Sequence, residues 1–299
     1  MNHRFLIGQY GQFDYSKYNR DYKTDFYGIE ACLFQKELDM TNLIKESRDA
    51  GFRIGIHYPL RSGVSPLRDA LFLAKEEAVR LEAYSLVQQE LDYIHSILKA
   101  DYVLFHYPKP VILDDRADWT SWRFDDRKEY EHESEYALEE FKEHSDTLFE
   151  WLSRVGNKYG FTPVLEFDAL NRYIYEDDYL AKRLEAFSSI KLCLDTARLY
   201  IQDRIDPHFH AETILRQYAR FAATIHLSNV QILDGQITQS RMPVLQSQRP
   251  SEGWAPIEQY LRIITCESPD VKIMFEHRSD QVTDEQLELC YRWVGELLE

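Results

Sequence analysis

Short apolar runs alternate with longer amphipathic stretches along almost the whole chain. The runs are Arg4–Gly8, Tyr27–Leu33, Arg53–Tyr58, Tyr102–Tyr107, Thr162–Phe167, Ile190–Leu194, Ala223–Leu227 and Val271–Phe275. Several are nearly continuous Val, Ile, Leu and Phe, the pattern of a parallel strand covered on both faces. Between them, Met40–Ala50, Pro66–Ala100, Ser134–Lys158, His210–Ala219, Pro256–Thr265 and Thr283–Leu298 carry apolar residues at helical spacing. In Ser134–Lys158 the stripe is Leu138, Phe141, Leu148, Leu152 and Val155. Gly51 follows Met40–Ala50 where a helix C-cap needs a residue tolerant of left-handed backbone. Strands alternating with helices predict βαβ units and a parallel sheet, and the eight runs predict a closed (β/α)8 TIM barrel. An open doubly wound sheet uses the same units. No GxGxxG or GxxxxGKS/T follows any run, which removes its nucleotide-binding version.

Composition changes this picture little. A chain of 299 residues fits one barrel, so a single domain over residues 1–299 is expected. Its 44% hydrophobic and 29% charged residues are those of a soluble globular protein. Charge matters more: 35 basic against 51 acidic residues give −16, which repels polyanions and disfavours nucleic acid as a partner. No window approaches the roughly 20 apolar residues of a membrane span. Met1–Tyr15 has no run long enough for a signal peptide. Cys32, Cys193, Cys266 and Cys290 show no CxxC spacing and are expected to be buried thiols in a reducing compartment, which predicts a cytoplasmic location. Two long loops, Pro108–His132 with Trp119 and Trp122 and the polar Asn229–Trp254, have a length usual for functional segments. The acidic stretch Asp125–His144 reads as an entry loop and a solvated helix face.

The chemistry lies where the runs end. The third ends Ile56-His57-Tyr58-Pro59, the fourth Phe105-His106-Tyr107-Pro108, and the fifth Leu165-Glu166-Phe167. The sixth ends Leu194-Asp195-Thr196, the seventh Ile225-His226-Leu227, and the eighth Phe275-Glu276-His277. Taken singly, each has an ordinary explanation. A histidine after a strand can be a hydrogen-bonded rim residue, and Asp195 or Glu276 can cap the next helix. Jointly they are six metal-capable residues at six equivalent positions, at the barrel end where chemistry is placed. Buried charges need partners or a metal. Mixed carboxylate and imidazole donors suit Mn²⁺, Zn²⁺, Co²⁺ or Fe²⁺ better than Ca²⁺. Such an ion would polarise substrate oxygens while two carboxylates shuttle a proton.

At these residues the chain resembles the xylose isomerase-like TIM-barrel superfamily, which holds sugar isomerases and epimerases, inosose-processing enzymes and family-two AP endonucleases. The resemblance runs from the first strand to the last helix. It implies a metal site of Glu166, Asp195, His226 and Glu276, with Glu166 and Glu276 also acting as the acid/base pair. His57 and His106 match the histidines that hold an additional metal in the endonuclease branch; in epimerases this region contacts substrate. A divalent cofactor follows, Mn or Zn, one ion or two. The family often reads Asp-x-Gly-His after the sixth strand, whereas this chain reads Asp195-Thr196-Ala197-Arg198. Arg198 cannot ligate a metal, and Arg241-Met242-Pro243-Val244-Leu245-Gln246 offers no Asp-x-His, so a three-metal phosphodiesterase centre is not expected. The arginine that epimerases often carry after the seventh-strand histidine is also missing.

Arg198 is a candidate for binding a substrate carboxylate or phosphate, or for a salt bridge to a nearby acid. Arg278 and Arg61 are weaker candidates of the same kind. Trp254 could wall a pocket or pack between helix and barrel, and Tyr58 and Tyr107 could meet a polyol or the rim. The leading expectation is a metal-dependent isomerase or epimerase of a sugar, sugar phosphate or cyclitol, with a small carbohydrate as partner and a homo-oligomer open. A metal-dependent hydrolase of the AP endonuclease kind is the alternative, and a non-catalytic metal-containing binding barrel is the third.

Overall fold

Each apolar run is the centre of a strand in the computed structural model, which describes residues 2–299. The strands are β1 (Phe5–Tyr10), β2 (Gly28–Cys32), β3 (Arg53–His57), β4 (Tyr102–Tyr107), β5 (Thr162–Phe167), β6 (Lys191–Asp195), β7 (Ala222–Leu227) and β8 (Lys272–Phe275). They close a barrel in which every strand neighbours its sequence neighbours and β8 returns to β1. The pairing is parallel, with Phe5 opposite Ile273, Ile273 opposite Ile225, and Val103 opposite Pro163. All five residues of β2 and all six of β4 are buried, as strands covered on both faces require.

The chain divides into two compact units. Residues 2–8, Asp14–Gly28 and Cys193–Glu299 form one, whose core stacks Phe5 edge-on to Phe26 and Phe275 at 5.5 and 4.9 Å between ring centroids. Gln9–Phe13 and Ile29–Leu192 form the other, in which Phe72 meets Tyr84, Phe105 and Trp151. Gly55 on β3 is required by this second core. A Cβ there would lie 2.2 Å from the ring of Tyr102, which donates through its hydroxyl to buried Glu30 at 2.6 Å.

The helices follow the sequence pattern with instructive exceptions. Glu37–Ala50 ends at Gly51 with φ of 78°, the expected left-handed cap. Pro66–Ala100 is regular only over Glu77–Ile97. Residues Asp69 to Ala74 are buried one after another, a run no helix can bury on one face, and the segment is irregular. Tyr15–Asp21, Tyr179–Ala186 and Thr196–Ile205 are helices with too short or too weak an apolar stripe to stand out in the sequence. Cys32, Cys193 and Cys290 are buried as expected, but Cys266 is exposed, on the outer face of a helix that buries Ile257, Tyr260, Leu261, Ile263 and Ile264. Both long loops contain strands. Val111–Leu113 pairs with Tyr130–His132, and Asn229–Leu233 forms a hairpin with Gln236–Met242. The hairpin turns at Asp234-Gly235, both at positive φ, and this dipeptide is the signal that was there to read. Among the described residues, no helix is long and apolar enough to cross a membrane.

Candidate functional site

The strand-end residues gather into two clusters, one in each unit. In the second unit, His106 on β4 and Glu166 on β5 are register partners, so their side chains leave the sheet side by side. Nε2 of His106 lies 3.0 Å and Nε2 of His57 lies 3.2 Å from the same Glu166 oxygen, Oε2. All three residues are buried. Their ligand atoms are close enough to hold one metal ion.

Around this triad lies a layer that the strand ends did not reveal. Asp69 accepts from Nδ1 of His106 at 2.9 Å, and the carbonyl of Tyr58 lies 3.1 Å from Nδ1 of His57. Lys109 is buried and reaches Asp69 at 3.0 Å, Asp168 at 3.1 Å and Glu129 at 3.7 Å. Arg68 places Nη2 at 3.0 Å from Nε2 of His106 and 3.3 Å from Nε2 of His57. Burial pushes the Asp69 carboxyl upward, but the adjoining His106, Lys109 and Arg68 outweigh it and hold the carboxyl well below the usual range. Burial opposes charge on Lys109, and Asp168, Asp69 and Glu129 more than reverse that, leaving the ammonium harder to deprotonate than in water. Asp168 was legible as the residue two beyond Glu166. Arg68 and Asp69 lie on the irregular segment before Glu77–Ile97, where no periodicity marks them. Glu129, inside the stretch expected to be solvated, is buried.

In the first unit, Asp195, His226 and Glu276 form a further metal-capable group. They stand at the ends of β6 and β7 and directly after β8, three consecutive staves. Asp195 is also the cap of Thr196–Ile205. Its Oδ1 accepts from the amides of Ala197 at 2.8 Å and Arg198 at 3.0 Å, while Oδ2 lies 3.3 Å from Nε of Arg198. The capping and ligand readings of Asp195 are therefore compatible, because they use different oxygens. Glu276 is held from behind, its amide donating to the carbonyl of Leu227 at 3.0 Å. Arg241, which the sequence did not single out, brings Nη2 to 3.8 Å from Oε1 of Glu276. It reaches there from the hairpin, with its own backbone at φ of 52°.

The remaining candidates are placed as follows. Arg198 is half-buried against Asp195. Arg278 is exposed and pairs with Asp280 at 2.8 Å. Arg61 pairs with buried Glu90 at 2.6 Å and lies over the ring of Tyr93. Trp254 is buried and bridges to Gln231 through its backbone. Tyr58 packs on Phe105, and the Tyr107 hydroxyl meets that of Ser145 at 2.8 Å, so both tyrosines serve the interior. His277, beside Glu276, is buried, and burial together with Lys17 and Arg20 moves its imidazole down to about 4.

No family model matches the chain. No curated protein matches it in sequence either. Solved structures do match in shape. A D-tagatose 3-epimerase-like protein aligns over 98% of this chain and 96% of its own at TM-score 0.63 and 11% identity. D-psicose 3-epimerase with D-tagatose from Clostridium cellulolyticum H10 aligns over 99% of each chain at TM-score 0.58 and 13% identity. The IolI protein with a bound zinc atom covers 99% of this chain and 98% of its own at TM-score 0.60 and 12% identity. The chain thus has the fold of the xylose isomerase-like TIM-barrel proteins.

Proposed function

We propose that this chain is a divalent-metal-dependent isomerase or epimerase of a sugar, sugar phosphate or cyclitol, with Glu166 and Glu276 as its proton-transfer pair. The observation that carries the reading is the grouping of Asp195, His226 and Glu276 at the ends of three consecutive barrel strands. The donors fit a divalent ion: two carboxylates and an imidazole, with Asp195 and His226 buried. Glu166, at the end of β5, is proposed as the fourth member of the set. The epimerase titles of the structural neighbours support the same class.

Bound there, Mn²⁺ or Zn²⁺ would withdraw charge from vicinal substrate oxygens. The chain's own residues do the rest. Asp195 is fixed by the two amides on Oδ1, so its second oxygen keeps one direction. Arg198, beside that oxygen, is the side chain proposed to steady an anionic or hydroxyl group of the substrate. Glu276 has 28% of its side chain accessible, enough to meet a substrate, and as a carboxylate it accepts a carbon-bound proton. Glu166 serves as the partner that returns the proton. Arg278 is left out, since its guanidinium is committed to Asp280.

The test is solvent-deuterium incorporation into a panel of ketoses and inososes by the Mn²⁺- or Zn²⁺-loaded protein. Exchange at one carbon, lost in Glu166→Gln and Glu276→Gln, is expected. A loaded protein that exchanges nothing yet cleaves phosphodiesters would sink the reading. The hydrolase alternative draws on one observation, the His57–His106–Glu166 triad, and the role of Arg68 bears directly on it.

A further inference from the structure

The triad of His57, His106 and Glu166 meets a guanidinium that constrains both imidazole tautomers. Arginine can donate hydrogen bonds but cannot accept them. Nη2 of Arg68 lies within hydrogen-bond reach of Nε2 on both histidines, so both nitrogens must be acceptors. Their Nδ1 atoms then carry the protons. Each has an acceptor waiting, the Tyr58 carbonyl for His57 and the Asp69 carboxylate for His106. The two tautomers are therefore fixed independently from the front and from behind. Two imidazole lone pairs and a carboxylate oxygen converge, with His57 at 3.2 Å and His106 at 3.0 Å from Oε2 of Glu166. Acceptors at that spacing repel one another in a buried site unless positive charge lies among them.

We propose that the Arg68 guanidinium is the resident cation of this seat, and that it excludes a metal ion from between His57 and His106, leaving Glu166 to the single ion proposed above. A zinc or manganese ion would need those same lone pairs at roughly 2.0–2.2 Å. The two hydrogens of Nη2 use the lone pairs already, so metal and guanidinium compete for one position. Arg68 is well placed to hold it. Its segment is anchored by Asp69, which bonds His106, and by the buried residues from Ala70 to Ala74. Lys109 supplies positive charge to Asp69 and Asp168 behind the seat, and Arg68 adds its Nε at 3.4 Å from Asp69 while its Nη2 faces the histidines. The consequence is a centre with one ion rather than two, which removes the two-metal arrangement a hydrolase would use. The count of one rests on the site proposed above; the occupancy of the seat by Arg68 does not.

The experiment counts metal by elemental analysis after the chelator-stripped protein is dialysed against Zn²⁺ and then against metal-free buffer. Wild type is expected to retain about one equivalent, and Arg68→Ala about two. The second is expected to be lost again when His57→Ala is added. Arg68→Met, which keeps the aliphatic stem, gives the same readout should the alanine variant fold poorly. Independently of any variant, ¹⁵N imidazole resonances followed through a Zn²⁺ titration of wild type should move for His226 and stay fixed for His57 and His106. Two equivalents in wild type, shifted His57 and His106 signals, or a folded Arg68 variant that gains no metal would overturn the proposal. A wild type that retains none, beside an Arg68→Ala that gains one through His57, would uphold the guanidinium seat and sink the metal site at Asp195, His226 and Glu276.

Discussion

The two units present the same residue types at their own strand ends and surround them differently. In the second unit, His57, His106 and Glu166 are surrounded by protein-supplied cations. Arg68 meets the imidazoles, and Lys109, with only 4% of its side chain accessible, neutralises the carboxylates behind them. In the first unit, the cations beside Asp195 and Glu276 are partly accessible to solvent. Arg198 is 26% accessible at 3.3 Å from Asp195, and Arg241 is 56% accessible at 3.8 Å from Glu276. Ligand-type residues alone do not make a metal site. What separates the two clusters is how deeply the cations beside them are buried, Lys109 at 4% against Arg198 at 26% and Arg241 at 56%.

That contrast can be tested from several sides. The largest effect should come from Glu276→Gln, which removes a proposed acid/base group. We expect kcat to fall about 10²–10⁴-fold with little change in melting temperature. A fall under tenfold would take Glu276 out of the proton transfer. Next is Lys109→Met, which leaves Asp69, Asp168 and Glu129 buried without their shared cation. It should cost about 3–5 kcal/mol of unfolding free energy in urea titrations. A loss below 1 kcal/mol would mean that the cluster is not internally neutralised as described.

A smaller effect, with a definite pH signature, is expected for Asp69→Asn. The native carboxyl is held well below its usual value, so it adds stability above the unfolded pKa near 4, and that stability fades as pH falls through the native one. The gap between wild type and Asp69→Asn should be roughly 1.5–3 kcal/mol at pH 7 and should narrow below about pH 4. A gap that widens on acidification would contradict the sign. The smallest effect is that of Arg241→Ala. An exposed cation 3.8 Å from Glu276 should change kcat/KM no more than about fivefold. A hundredfold loss would show that the first unit also depends on a built-in cation, and the contrast between the units would weaken.

Much of this was legible in the chain. The period of the apolar runs located all eight strands, because a buried parallel strand leaves few polar residues in its sequence. The strand ends gave His57, His106, Glu166, Asp195, His226 and Glu276, since a polar residue closing an apolar run is conspicuous. The Asp234-Gly235 dipeptide also marks its hairpin turn locally. Arg68 and Asp69 were not readable: they lie on an irregular segment whose buried residues follow no period. Arg241 was hidden for a similar reason, because only the hairpin's pairing brings it beside Glu276.

The sequence by itself determined the barrel and the donor atoms at its strand ends, because strand period and residue chemistry are local properties. Only the tertiary structure decided which donors are already satisfied. That depends on long side chains arriving from loops, Arg68 and Lys109 in one unit and Arg198 and Arg241 in the other. Electrostatic demand is settled by distances of 3 to 4 Å in space, which spacing along a chain does not encode.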